Sequence, residues 1–226
     1  MPEMNLYALP ELVRTEAQRR SAWPRSIVSG AVFLAAIAIA LLSYRYLLDI
    51  GPIPPNIASN RFRPVWLIAH AGFASTALLV GAVQFSGKAR RSTPWLHRWV
   101  GRTYAMACLL GAGAGLVLAI GSSAGPIATT GFGSLAIAWI YSTTLGWQRA
   151  RTGQFASHRR WMIRSWALTL SAVTLRAYIA VAEMAALPEL PAYRAISLLC
   201  WVPNLLVAEL LLRRAPSNAD AARNKA

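Results

Sequence analysis

Six stretches of this chain run for about twenty residues with almost no charge, near 26–48, 65–85, 98–120, 127–147, 161–184 and 194–212. A helix needs about that many apolar residues to cross the hydrocarbon of a bilayer. Inside hydrocarbon only a helix or a closed barrel satisfies its own backbone. At that length the runs predict an all-α integral membrane protein, a bundle of about six transmembrane helices. The fourth run, IATTGFGSLAIAWIYSTTLGW, is the least hydrophobic of the six. Between the first two runs, DIGPIPPNIASNRFRP holds four prolines and a glycine, which rules out a continuous helix there.

Charge then orients the bundle. The chain carries 23 Lys and Arg against 8 Asp and Glu, a net charge of +15. With the N-terminus inside, 18 of the basic residues fall on the cytoplasmic side and 5 outside, where Asp49, Glu183 and Glu189 also lie. A bias of this kind in short loops sets topology, so both termini are expected in the cytoplasm of a cell whose inner membrane holds the chain. The bilayer is the first partner. Nucleic acid is excluded as a partner, because the basic residues punctuate apolar runs and form no soluble basic face. Residues 1–25 are charged, show no cleaved-signal layout, and are expected to be cytoplasmic, with an amphipathic helix from Leu6 to Arg20. Residues 26–214 are the transmembrane domain, and 215–226 are expected to be a disordered cytoplasmic tail.

The polar residues inside the runs are fewer and more informative. Thr93 followed by Pro94 predicts a helix start, and Ser157 is a second candidate cap. These place His97 and His158 in the first turns of two helices at the cytoplasmic boundary. Trp95, Trp99, Trp161 and Trp166 fit an interfacial aromatic belt. At helical spacing His158 shares a face with Ser165, Thr169, Ala172 and Arg176. His97 shares one with Gly101, Tyr104, Cys108, Gly111 and Gly115, and His70 with Ala74, Ala77, Gly81 and Gln84. Ser197, Cys200, Asn204 and Ala208 form a fourth such face. Faces of small residues let helices pack closely or leave room for a ligand. Arg176 lies about 12 Å inside the outer end of its helix, and a charge at that depth marks a functional site by default. Glu183, two turns on, is a candidate counter-ion.

Three readings follow. In the first, the chain is a redox-type membrane protein binding haem b or a quinone between the helices bearing His97 and His158, with Arg102 and Arg164 meeting haem propionates. Three histidines in all allow at most one bis-histidine haem. In the second, it is a small-molecule or anion transporter or binder that uses His70 and Arg176 on the outer side, with Tyr178, Trp201 and Asn204 nearby. In the third, it is a structural membrane subunit whose polar stripes only join helices. No metal site is expected, since no acidic-histidine or Cys-rich cluster occurs, and Cys108 and Cys200 read as packing residues. Hydrolase chemistry lacks a Gly-x-Ser-x-Gly element.

HAGFASTALLVGAVQF, LHRWVGRTY, HRRWMIRSWALTLSAVTLR and CWVPNLLVAELLLRR together resemble the bacterial multi-pass membrane proteins of the domain-of-unknown-function 2306 family, over about residues 65–214. The resemblance implies a helical membrane protein. It places His70, His97, Arg102, His158, Arg159, Arg164, Arg176, Asn204 and Glu209 on the family's recurrent polar positions, and it supplies no activity.

Overall fold

The structure, a computed structural model, describes residues 30–84 and 93–214, and among these it is helical without a strand. The expected amphipathic segment 6–20, the basic loop residues Lys88, Arg90 and Arg91, and the tail 215–226 lie outside the described residues. Helix α1 (30–43) ends in a tighter turn, Tyr44–Leu47. Helix α2 spans Val65–Gln84, α3 Pro94–Ile120 and α4 Pro126–Arg151. Two further spans are each built from two pieces: α5 (Phe155–Thr169) with α6 (Ser171–Met184), and α7 (Glu189–Leu199) with α8 (Val202–Arg214).

Five stretches are long and apolar enough to cross a membrane: Gly30–Leu47, Val65–Ala82, Trp95–Ile120, Phe155–Met184 and Glu189–Arg214. The sixth long helix, α4, is 26 residues long and corresponds to the weakest of the sequence runs. Its position explains its composition. Helix α4 packs against α3, α5 and α7, and it buries Gly131, Gly133, Ser142, Thr143 and Gly146 at those contacts. A helix screened by neighbours needs less lipid-facing Leu and Ile than one at the rim.

Size rather than polarity separates inside from outside. The buried positions are dominated by alanine, among them Ala36, Ala40, Ala77, Ala107, Ala112 and Ala128. Large apolar side chains face outward instead, as with Leu34, Leu42, Ile137, Val181 and Leu211. Lipid tails are as apolar as leucine, so nothing drives leucine inward, and small side chains let the helix backbones approach. At Gly111 an added Cβ would sit 3.0 Å from the backbone nitrogen of Ala74, which shows how closely α2 and α3 touch.

Both breaks have local causes. Thr169 Oγ1 donates back to the Ser165 carbonyl at 2.9 Å, a bond that bends helices, and after Leu170 the chain re-forms through the Val173 N–H donating to the Leu170 carbonyl at 2.9 Å. In the last span Pro203 has no N–H to offer Leu199. The two breaks are tied together by Asn204. Its amide donates to the carbonyls of Ala167 (3.3 Å) and Cys200 (3.2 Å) and to Thr174 Oγ1 (3.1 Å), while the Thr174 hydroxyl donates to the Cys200 carbonyl. One side chain thus serves carbonyls near both interruptions, a demand that hydrocarbon enforces.

Helix α3 begins at Pro94 as the sequence indicated. Ser157 is not a cap, however: α5 begins two residues earlier, at Phe155, and the His158 N–H donates to the Gln154 carbonyl at 2.8 Å. The loop after α1 crosses the C-terminal end of α3, where Asn60 Nδ2 donates to the Leu118 carbonyl at 2.8 Å and the Arg61 N–H to the Gly121 carbonyl at 3.2 Å.

Candidate functional site

The polar stripes converge in two places along the bundle. In the half nearer His97 and His158 they close on each other. Tyr104, fully buried, holds its hydroxyl 3.0 Å from Ser165 Oγ and 2.9 Å from Thr169 Oγ1, and Thr143 Oγ1 lies 2.8 Å from Ser165 Oγ. Cys108 Sγ, also fully buried, is 4.0 Å from the Thr169 hydroxyl. Four hydroxyls from α3, α4 and α5 therefore satisfy one another, and this part of the stripe is packed solid.

The residues that the sequence grouped with His97 and His158 go to separate tasks. His97 is met by Gln84, whose Nε2 donates to the His97 carbonyl at 3.0 Å and lies 3.4 Å from its Nε2. His158 instead faces α4, where its Nδ1–H donates to the Gly146 carbonyl at 2.8 Å. Arg164 makes a two-pronged ion pair with Glu209, Nε to Oε1 at 2.5 Å and Nη2 to Oε2 at 3.0 Å, and stacks 4.5 Å over the Trp161 ring. Arg102 is exposed and lies 5.3 Å over the ring of Trp99 on its own helix. Trp166 does not join the belt; it turns inward against the core, close to Gly81.

The other convergence is open. A cavity of about 230 Å³ lies between the helices, walled by parts of α2, α3, α4, α6 and the end of α1. Its walls are mostly apolar, and the polar groups on it include His70, Arg176, Ser43, Tyr46 and Tyr193. His70 is set by glycine. Its Nδ1 lies 2.8 Å from the Gly111 carbonyl, which can only accept, so Nδ1 carries the proton and Nε2 is left as an acceptor. A Cβ at Gly115 would stand 2.9 Å from that same Nδ1, so the ring fits only against glycine.

Arg176 folds back one turn, donating from Nη1 to the Ala172 carbonyl at 2.9 Å and from Nη2 to Ser43 Oγ at 2.6 Å. This places its guanidinium deeper than its Cα, toward the break at Leu170. Glu183 is exposed and makes no ion pair; among the described residues the only ion pair is Arg164–Glu209. The expected counter-ion is thus absent, and no Asp or Glu stands among the residues of the cavity wall. Two bonds leave three of the five guanidinium N–H groups for other acceptors.

Tyr178, Trp201 and Asn204, grouped with this site from the sequence, lie elsewhere. Tyr178 and Trp201 pack around Ala182, Ile196 and Cys200, and Asn204 is occupied at the helix breaks. Three wall residues escaped the sequence reading. Ser43 closes α1, where its own Oγ donates to the Ile39 carbonyl at 2.7 Å. Tyr193 stands over Phe132, ring centroids 5.4 Å apart. Trp139, buried at 6% exposure, comes from the middle of α4. Only Trp139 carried a signal, as a tryptophan far from either boundary of its run.

No curated protein and no solved structure matches the chain. One family model does, over residues 67–212, which include every wall segment except those from α1 and the loop after it, and the chain therefore belongs to the family described as Predicted membrane protein (DUF2306).

Proposed function

We propose that the chain binds a small organic anion in the cavity between His70 and Arg176 and carries it across the membrane. The observation behind this reading is the guanidinium of Arg176, brought to a mid-bundle cavity with no carboxylate in the walls to neutralise it. A buried charge left unpaired is strongly unfavourable, and an anionic occupant removes that cost. The broken spans favour movement as well as binding. Transporters commonly place discontinuous helices at the midplane beside the substrate, and residues from both breaks, Thr169, Ser171 and Cys200, lie on this cavity. The charge bias around the loops supports an orientation with both termini in the cytoplasm, in a bacterial inner membrane.

The test is binding of hexanoate against hexylamine to purified protein in nanodiscs, measured by titration calorimetry with empty discs as the blank. Hexanoate should bind and hexylamine should not. Arg176→Gln should weaken hexanoate by tenfold or more, while Arg176→Lys, which keeps the charge, should lose less. Equal affinity of the wild type and Arg176→Gln for hexanoate would overturn the reading.

The haem or quinone reading draws on one observation, the tautomer of His158. With Nδ1–H held by the Gly146 carbonyl, its Nε2 is left as the ligating nitrogen, the usual way a ligand imidazole is oriented. The remaining parts fit a haem poorly, since His97 is engaged by α2, His158 by α4, Arg164 by Glu209, and Arg102 is exposed. An absorbance spectrum after haem-replete expression separates the two: a Soret band lost in His158→Ala would revive this reading, and its absence removes the haem.

A further inference from the structure

The cavity holds a second hydrogen-bond demand that Arg176 does not meet. Trp139 lies on its wall, is buried, and its indole Nε1–H finds no acceptor among the described residues. Buried N–H groups are rarely left this way, because an unmet donor in apolar surroundings loses its bond to water and gains nothing. The indole of Trp201 is also unmatched, but Trp201 does not border the cavity.

We propose that the occupant is a short monocarboxylate bearing one further oxygen on its chain, oxo or hydroxy, with the carboxylate on Arg176 and the chain oxygen accepting from Trp139. The proposal rests on the anion-binding reading above and adds a second polar contact to it. Indole N–H only donates, so the group facing it must accept. The single fixed positive charge admits one negative charge, and the alanine, leucine and phenylalanine of the wall suit a hydrocarbon body between the two oxygens. At about 230 Å³ the space falls below the roughly 300–1,000 Å³ of pockets that take drug-sized molecules, so the chain is short.

The experiment compares hexanoate with 5-oxohexanoate in the same nanodisc calorimetry, for the wild type and for Trp139→Phe, which keeps an aromatic ring and deletes the N–H. The wild type should prefer 5-oxohexanoate by roughly five- to tenfold, the worth of one neutral hydrogen bond. In Trp139→Phe that preference should fall to within about twofold, whatever the change in hexanoate affinity itself, and Trp201→Phe should leave the preference intact. Equal binding of the two acids by the wild type, or a preference that survives in Trp139→Phe, would overturn this proposal and leave anion binding standing; it would mean that water satisfies the indole. If neither acid binds, the anion reading fails and this one with it.

Discussion

Gly81 and Gly113 show how differently two helical glycines can be used. A methyl group at Gly81 would stand 2.3 Å from Trp166 Cζ3 and 2.8 Å from Tyr104 Cε2, whereas one at Gly113 would meet nothing within 4 Å. Replacing glycine by alanine in a helix ordinarily gains up to about 1 kcal/mol. Overpacking a tight interface costs about 1–3 kcal/mol. At Gly81 both neighbours are rigid rings, one of them at the hydroxyl cluster, so the steric cost wins and Gly81→Ala should lower stability by about 1–2 kcal/mol. Gly113→Ala should be neutral or slightly stabilising. Thermal unfolding of the two variants in one detergent checks the difference; similar midpoints would show that α2 and α3 are looser than drawn. The same residue-scale reasoning was open to the sequence. Faces of small and polar residues through each histidine indicated which sides turn inward, and Tyr104, Cys108, Gly111 and Gly115 do lie there. It could not tell solid packing from a cavity, because alanine and glycine serve both. It also assigned Arg164 and Arg102 to a ligand, where a carboxylate 45 residues away and a ring on the same helix take them.

At the scale of elements, the spans were legible and their interruptions were not. Length and hydropathy mark a membrane crossing whether or not the helix is continuous, so α5–α6 and α7–α8 each read as one unbroken run. Pro203 was the available clue for the second break. The first has only Thr169 and its neighbouring hydroxyl residues, which are common in intact membrane helices. Asn204 joins the two breaks, and its removal tests whether they act as one unit. Hydrogen bonds within membranes contribute about 0.6 kcal/mol each on average. Three donor contacts make Asn204→Ala a loss of about 1–2 kcal/mol. Thr174→Val should cost less than that. The double variant should fall short of the sum, because the Asn204–Thr174 bond is counted in both single changes. Strict additivity would mean the two spans are held independently.

For the whole molecule, the decisive quantity is orientation, because it fixes which side supplies the cavity. In the orientation proposed from the loop charge bias, the turn at Thr152–Gly153 faces the cytoplasm and the turn at Ile50–Gly51 the outside, and the helix order then leaves His70 and the loop over α3 on the outer side. Impermeant thiol labelling distinguishes the two arrangements with little background. Both native cysteines, Cys108 and Cys200, are fully buried among helices, so neither offers a thiolate to a water-soluble maleimide. Ile50 and Thr152 are exposed, and neither touches the cavity or the hydroxyl cluster, so cysteine is tolerated at each. In intact spheroplasts Ile50→Cys should react and Thr152→Cys should not; after the membrane is opened both should. Labelling of Thr152→Cys in sealed cells would invert the molecule, and a carrier loading from the outside would then have to load from the cytoplasm. The half nearer His97 and His158 would still be closed by Tyr104, Thr143, Ser165 and Thr169, whichever way the molecule sits. On the proposed transport reading those four hydroxyls must part, and they can do so cheaply only where water enters to replace their bonds to one another.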